Sequence, residues 1–277
     1  MKETVLDIEE VQRWWPVLNN RLGAALIKKV FRWIDIDKVN RIHANHCHLR
    51  GSDFTSTMLR DQMMDVRYEV HHRDILDQLP QDAFITVSNH PIGSLDGIIL
   101  MDIFAAIRPD FCLMVNDILS HISAMADNFI SVVPNSKKDP RAVGSAKNVN
   151  GIRLALKHIR EGSPMGFFPA GAMSFYNKAT KAVRDLPWTH SIIRLIRKAN
   201  VPVFPVYFDS INSRFFYFLG HISWKLRHIR IATEAFNKKG CTLDVYLRNP
   251  IDPQTIQNIT NDDLLADFLY KKTYDIP

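Results

Sequence analysis

The sequence is organised around one stretch, Phe84-Ile-Thr-Val-Ser-Asn-His-Pro-Ile-Gly-Ser-Leu-Asp-Gly97. Its first five residues are mostly apolar or β-branched, which is typical of a buried strand. Residues 91–93 then predict a tight turn, and Ser94 is placed to N-cap a helix whose first turn carries Asp96. This order of strand, turn and helix brings the imidazole of His90 close to the Asp96 carboxylate.

The His90 and Asp96 pair supports two interpretations. In the catalytic one, a neutral imidazole takes a proton from an attacking hydroxyl or amine, while the carboxylate fixes its tautomer and stabilises the cation that forms. In the structural one, His90 only bonds to backbone groups of the turn. A helix N-terminus favours neutral His90 and Asp96 favours its protonated form, and the sequence alone leaves that balance open.

A second turn follows a later apolar run, in Phe167-Phe-Pro-Ala-Gly-Ala-Met-Ser174. The small residues around Gly171 let bare backbone approach a ligand closely. Their N–H groups would suit an oxyanion or a phosphate, and the Ser174 hydroxyl could add a further contact. An ordinary turn at the end of a strand is the alternative.

Both stretches, together with Val201-Pro-Val-Phe-Pro205, resemble sequence blocks of the lysophospholipid and glycerolipid acyltransferase superfamily. The blocks occur in the order that the superfamily has, across residues 66–250. The resemblance implies that His90 is the general base and that Asp96 is its partner. It also implies that the turn around Gly171 binds the acceptor.

Further stretches resemble the hemolysin-like branch of that superfamily, which acts on amino-acid lipids. They are Pro187-Trp188 and Asp209-Ser-Ile-Asn-Ser-Arg-Phe-Phe-Tyr217. The common first block has four residues between its His and its Asp, whereas His90 and Asp96 are separated by five. The hemolysin-like branch carries the same extra residue, so Asp96 remains the expected partner of His90.

The sequence departs from the superfamily pattern where a phosphate would be bound. Ala170 stands at the usual Glu position, Met173 at the usual Arg position, and the Arg of the second block has no clear match; Lys137, Lys138 and Arg141 are only nearby. Loss of an Arg removes a bidentate phosphate contact, which favours an acceptor without glycerol phosphate. The candidate substrate-binding residues are Asn89, Gly93, Pro169, Ala170, Gly171, Ser174, Lys137, Lys138 and Arg141.

Strands that alternate with helices after residue 66 predict an α/β fold with a mixed, largely parallel sheet flanked by helices. Residues 1–65 are expected to form an N-terminal helical region that faces a membrane, and residues 66–277 the acyltransferase domain. The helix after Ser94 is expected to end near Arg108, since a residue before proline disfavours the α region. The pattern also predicts a strand at 229–232 and a helix over 144–161. In that helix Val149, Ile152, Leu156 and Ile159 are expected to point inward.

A helix over residues 11–34 is predicted to carry one apolar stripe. The stripe consists of Trp14, Leu18, Leu22, Leu26, Val30 and Ile34. It would either pack against the protein or lie among lipid headgroups. Residues 213–219 and 224–230 interleave aromatic and cationic side chains, which suits either a headgroup-level surface or a packed connection.

Composition favours a partner with negative charge. The formal net charge is +6, and the cations are interleaved with apolar residues, a texture that suits a membrane surface better than nucleic acid. Three scattered cysteines, no signal peptide and no long apolar run predict a cytoplasmic protein, peripheral on the inner face of the cell membrane. A cluster of possible metal ligands consists of His43, His46, Cys47 and His48, but the further ligand pair of a metal site is missing at a recognisable spacing. We therefore expect no metal there, and we expect these residues to form a solvated helix face.

The resemblance therefore implies an acyltransferase that moves a fatty acyl group from an acyl carrier protein (ACP) or coenzyme A (CoA) thioester to a lipid acceptor. The acceptor would be a hydroxyl or amine of a lyso-amino-acid lipid or a lysophospholipid. No bound cofactor and no nucleic acid are expected. The alternatives are a 1-acylglycerol-3-phosphate acyltransferase that makes phosphatidic acid, and a non-catalytic protein that binds lipid or nucleic acid.

Overall fold

The structure is a computed structural model that describes residues 2–116, 119, 122–132 and 146–275, without the side chains of 146–148. Its α-helices are α1 (Ile8–Trp14), α2 (Arg21–Trp33), α3 (Ile36–His46), α4 (Gly51–Arg60), α5 (Leu95–Phe104), α6 (Ala146–Arg160), α7 (His190–Ala199), α8 (Arg214–Ile222), α9 (Trp224–Ile229), α10 (Ile231–Phe236), α11 (Pro253–Asn258) and α12 (Asp262–Tyr274). Its strands are β1 (Arg67–His71), β2 (Ile85–Ser88), β3 (Cys112–Asn116), β4 (Phe129–Val132), β5 (Met165–Phe167), β6 (Phe175–Asn177), β7 (Ala182–Arg184), β8 (Val203–Asp209) and β9 (Thr242–Leu247).

Within the described residues, seven strands form one sheet in the order β1-β9-β8-β2-β5-β3-β4. Neighbouring strands are parallel except β8 and β9, which run antiparallel. The predicted mixed, largely parallel sheet is confirmed. A separate antiparallel hairpin, β6 and β7, was not predicted from the sequence.

Helices cover both faces of the sheet, which is why the central strand β2 is buried along its whole length. One apolar cluster holds Phe54 of α4 and Phe104 of α5, and the other holds Ile193 of α7. Phe84 belongs to the first cluster and Ile85 to the second, as the alternation of a strand requires. Because α3 and α4 also contribute to the first cluster, helices that precede the sheet in sequence share its core.

The predicted helix over residues 11–34 is interrupted. Pro16 begins a short 3-10 helix, and the side chain of Asn20 caps α2 by accepting from the Gly23 N–H. The buried face of α2 consists of Gly23, Ile27 and Phe31, whereas most of the predicted stripe points to solvent. Gly23 explains the offset, since a Cβ there would lie 2.1 Å from the Leu18 carbonyl oxygen.

The inward face of α6 departs from the prediction at one position. Val149 was predicted to point inward but is 62% exposed, whereas Ile159 is buried and Ile152 and Leu156 pack against the core as predicted. Gly151 lies on the buried face, where a Cβ would approach Cγ1 of Val132 to 2.5 Å. Small residues therefore make the closest helix–sheet contact, and a pattern of large apolar residues does not mark them.

Three local expectations were wrong. Residues 229–232 are helical at the junction of α9 and α10, and not a strand. The helix that begins at Leu95 ends at Phe104, four residues before the predicted end near Arg108. His43 is buried, with Nδ1 2.7 Å from the Glu3 carbonyl oxygen, so this residue does not belong to a solvated face. Among the described residues, no helix is both long and apolar enough to cross a bilayer.

Candidate active site

The site is formed where two neighbouring strands end. β2 and β5 are parallel, and Val87 lies opposite Phe167 in their register. The chain that leaves β2 begins with Asn89 and His90, and the chain that leaves β5 begins with Phe168. Because the carboxyl ends of parallel strands share one edge of a sheet, the two turns singled out in the sequence meet there.

His90 and Asp96 are in contact, as the spacing predicts. Nδ1 of His90 lies 3.0 Å from Oδ2 of Asp96. A carboxylate only accepts hydrogen bonds, so Nδ1 carries the proton and Nε2 of the neutral ring holds the free electron pair. The imidazole stacks on Phe168 with ring centroids 4.0 Å apart, and the His90 side chain is 17% exposed. The pair therefore presents a basic nitrogen in a partly enclosed position.

Asp96 also organises the turn, whereas the side chain of Ser94 does not cap the helix as predicted. Its carboxylate accepts the backbone N–H groups of Ile92, Gly93 and Gly97 at 3.1–3.2 Å. Ser94 precedes the first residue of α5, but its hydroxyl makes no capping bond. The same carboxylate thus caps the turn and orients the imidazole.

Burial and charge act in opposite directions on this pair. Burial alone would lower the pKa of His90, but the Asp96 carboxylate raises it, and the net pKa lies above the ordinary value of 6.5. Burial alone would raise the pKa of Asp96, but His90 and the turn amides hold it below its ordinary value. The contact between His90 and Asp96 therefore opposes the effect of burial on the pKa of both groups.

Gly93 and Asn89 hold the turn in place. Gly93 has φ +94°, which L side chains rarely adopt, and a Cβ there would lie 2.1 Å from Sδ of Met173, so a larger residue would strain the turn and displace Met173. The Asn89 side chain makes two hydrogen bonds with the backbone of Phe208. Its Nδ2 donates to the Phe208 carbonyl oxygen at 3.0 Å, and its Oδ1 accepts from the Phe208 N–H at 2.8 Å. Asn89 thereby ties the end of β2 to β8.

The residues of the second turn lie next to His90. Pro169 and Ala170 are buried, and Gly171 has φ +64° with its N–H donated to the Phe168 carbonyl oxygen at 2.9 Å. The Ser174 N–H donates to the His90 carbonyl oxygen at 2.8 Å. Its hydroxyl donates to Asp185 at 2.5 Å, so that side chain faces a carboxylate. Lys137, Lys138 and Arg141 lie outside the described residues.

Asp185 was missed in the sequence. It is buried, and one of its carboxylate oxygens accepts both the Ser174 hydroxyl and the His90 backbone N–H, the latter at 3.2 Å. Burial raises the pKa of Asp185 even though donors surround it. Its own backbone N–H donates to the hydroxyl of Tyr274. Its position just before Pro187-Trp188 was the one available signal.

Arg227 was also missed, although it lies in the aromatic and cationic segment 224–230. The side chain is buried at the site, with Nη1 3.1 Å from the Ser174 carbonyl oxygen and Nη2 3.4 Å from that of Met173. Its guanidinium carbon lies 5.5 Å from the centroid of the Phe216 ring. Only the tertiary structure shows that this cation reaches the His90 turn.

One group among the described residues has the composition of a metal site. The possible ligand atoms of Glu69, His71 and Asp244 lie within 4.8 Å of one another. These residues are on β1 and β9, three and two strands away from β2 in the sheet. The group is therefore separate from the His90 site.

Comparison with known proteins places this chain in a family. A family model described as "Acyltransferase" matches residues 11–276. A lyso-glycine lipid O-acyltransferase of Bacteroides thetaiotaomicron is 29% identical over 213 residues, covering 74% of this chain and 72% of the relative. A protein of the same name from Phocaeicola vulgatus is 25% identical over 234 residues, covering 82% of this chain and 78% of the relative.

A solved structure, the 1-acyl-sn-glycerophosphate acyltransferase PlsC of Thermotoga maritima, covers 91% of this chain and 93% of its own. At a TM-score of 0.48 and 15% identity, that likeness carries no argument about substrate. The match of the family model over nearly the whole chain decides the assignment, and it confirms the resemblance to the acyltransferase superfamily. The chain belongs to the acyltransferase family and is an acyltransferase enzyme, which sets aside the non-catalytic alternative.

Proposed function

We propose that this enzyme transfers a fatty acyl group from a thioester donor, acyl-ACP or acyl-CoA, to the hydroxyl of a lyso-amino-acid lipid. The observation that carries the proposal is the contact between Nδ1 of His90 and Asp96, which leaves Nε2 free to accept a proton. Both curated relatives are named as O-acyltransferases of a lyso-glycine lipid, and this supports a lipid acceptor and a hydroxyl rather than an amine.

The reaction needs one base and no covalent enzyme intermediate. Nε2 of His90 takes the hydroxyl proton as the acceptor oxygen attacks the thioester carbonyl carbon. The C–S bond then breaks, and the thiolate takes the proton back from His90. The products are an ester and a free thiol, so His90 ends the cycle neutral. Asp96 stabilises the imidazolium that exists between the two proton transfers.

The tetrahedral intermediate carries a negative oxygen that hydrogen-bond donors stabilise. We assign that role to backbone N–H groups of the turn at residues 169–174, which lies against His90. The Gly171 N–H is already donated to Phe168, so the donor would be a neighbouring amide of the same turn.

Substitution of the base tests the proposal. His90→Ala should lower acyl transfer to a lyso-glycine lipid by about 100-fold or more, because general base catalysis contributes this much. Purified enzyme would be assayed with acyl-ACP and with acyl-CoA, and circular dichroism would verify that the variant is folded. Full activity of the folded variant would contradict the assignment of His90.

The same assay distinguishes the acceptors. Wild-type enzyme should acylate a lyso-glycine lipid and leave lysophosphatidic acid unchanged. The reverse preference would support the alternative, a 1-acylglycerol-3-phosphate acyltransferase that binds phosphate through Lys137, Lys138 or Arg141.

We further propose that the enzyme binds a lipid membrane through an apolar surface on α2, α8 and α9, as a peripheral protein on the cytoplasmic face. The surface is defined by the exposed side chains of Leu22, Leu26, Val30, Trp33, Phe215, Phe218, Ile222, Trp224 and Ile229. The guanidinium of Arg230 joins its two parts, 5.8 Å from the Trp33 ring and 5.2 Å from the Phe215 ring. Exposed cations on the same helices would match anionic headgroups.

A further inference from the structure

Arg227 is a buried cation in a position that the acyl-transfer steps described above do not use. The residue is 8% exposed, and burial lowers the pKa of its guanidinium. Its Nη1 and Nη2 reach only the backbone carbonyl oxygens of Ser174 and Met173, and its Nε is buried without a hydrogen-bond partner. The structure thus removes this charge from water and gives it only neutral partners.

A buried charge with neutral partners is costly, and proteins normally pair such a charge with an opposite one. Among the described residues, Arg227 forms no ion pair with a carboxylate. The buried acids nearby are already committed, since Asp96 contacts His90 and Asp185 accepts from Ser174. The missing counter-charge is therefore expected from a ligand.

The position of Arg227 indicates which ligand this is. The carbonyl oxygen of Ser174 accepts a hydrogen bond from the Arg227 guanidinium, and the Ser174 N–H donates to the His90 carbonyl oxygen. Ser174 is therefore the single residue that links Arg227 to His90. The charge is close enough to His90 to oppose the rise of its pKa. An anionic group bound by Arg227 would lie beside the acceptor hydroxyl that His90 activates.

We propose that Arg227 binds the carboxylate of the acceptor lipid, an inference that rests on the proposed function. An amino acid acylated on its nitrogen keeps one free carboxylate, which is a single negative charge. One guanidinium matches that charge, and its planar donors match a carboxylate. A phosphate monoester carries nearly two negative charges, which is more than one guanidinium neutralises.

The test varies the ligand charge and the cation together. The probes are an N-(hydroxyacyl)glycine and its methyl ester, which differ in the carboxylate charge. Acyl transfer is measured with wild type, Arg227→Gln and Arg227→Lys, and binding of both probes is measured by calorimetry without a donor. Arg160→Gln makes the same charge change at an exposed position of α6 and serves as the control.

Wild type should prefer the acid over the ester. Arg227→Gln should lose about 10- to 100-fold in kcat/KM with the acid, through KM, and little with the ester, since a charge-assisted hydrogen bond is lost only with the acid. The kcat/KM of Arg227→Lys with the acid should lie between those of wild type and Arg227→Gln, because lysine keeps the charge but lacks the planar, bidentate donors of arginine. Arg160→Gln should resemble wild type with both probes.

Equal binding of acid and ester by wild type would overturn the proposal, and this comparison needs no variant. Equal losses on both probes in a folded Arg227→Gln enzyme would also overturn it, because they would indicate a structural role in holding the turn. Failure of the proposed function looks different: wild type would bind the acid in an Arg227-dependent manner and transfer no acyl group to it.

Discussion

His90 depends on the balance between burial and a neighbouring charge. Burial favours the neutral ring, whereas Asp96 favours the imidazolium, and the net pKa is raised above 6.5. Because a general base must be neutral, the acid limb of kcat/KM against pH should lie above that value. Activity should therefore fall as pH decreases through the raised pKa of His90.

Removing the carboxylate should move that limb. Asp96→Asn removes the larger of the two carboxylates that raise the pKa of His90 and leaves burial and the weaker effect of Asp185, so the acid limb should shift to lower pH. The rate should also fall by about 100-fold, since the tautomer of His90 is no longer fixed. The measurement is a pH profile of kcat/KM, and Asp110→Asn, at a carboxylate paired with Arg108, is the control. An unshifted limb in Asp96→Asn would contradict this account.

The site also contains a second carboxylate with a different role. Asp185 bonds the backbone of His90 and the hydroxyl of Ser174, so it fixes the two turns relative to each other. Asp185 contacts the base through main chain only, and we therefore regard it as a positioning residue. Its raised pKa shows how strongly burial acts in this part of the molecule.

Among the elements, the turn between β2 and α5 is the most constrained. Gly93→Ala would combine a backbone of φ +94° with a Cβ 2.1 Å from Sδ of Met173. The expected cost is about 1–3 kcal/mol of unfolding free energy for the backbone conformation alone, and kcat/KM should fall because the His90 turn moves. Denaturant unfolding and acyl-transfer assays would measure both quantities.

Gly240→Ala is the matched control for this prediction. Gly240 has φ +75°, but nothing lies within 4 Å of a Cβ added there. Gly240→Ala should lose unfolding free energy because of the backbone conformation, but it should create no steric conflict and should keep full acyl-transfer activity. If Gly93→Ala behaved like Gly240→Ala in both assays, the close packing of the two turns would be wrong.

At the scale of the whole molecule, the apolar surface on α2, α8 and α9 leads to a prediction about membrane binding. Leu22 is 84% exposed, and burying a Leu side chain in an apolar environment contributes about 2 kcal/mol. The double variant Leu22→Ser/Leu26→Ser should therefore reduce partition onto vesicles of anionic phospholipid by at least about 10-fold. Co-sedimentation at several salt concentrations would measure it, and added salt should weaken binding.

Leu264→Ser provides the control for that prediction. Leu264 is 63% exposed but lies on α12, outside the apolar surface. This variant should bind vesicles as wild type does. Equal vesicle binding by wild type and Leu22→Ser/Leu26→Ser would contradict the assignment of membrane contact to this surface.

Much of the fold was predictable because local signals were strong. The continuous apolar run of β2 and the turn at residues 91–93 both correspond to observed elements. Helix faces were less predictable. In α2 and α6 the closest contacts involve Gly23 and Gly151, and hydrophobic periodicity ignores glycine.

The sequence alone determined the His90 and Asp96 pair and its acyltransferase context, because those residues lie within one short segment with a readable turn. Only the tertiary structure brought Asp185 and Arg227 to the same place, from 95 and 137 positions further along the chain. Parallel strands bring segments that are distant in sequence to one edge of the sheet, and the spacing of residues in the sequence does not reveal which segments will meet there. The opening motif therefore identified His90 and Asp96 as the candidate catalytic pair, while folding supplied the charges around them.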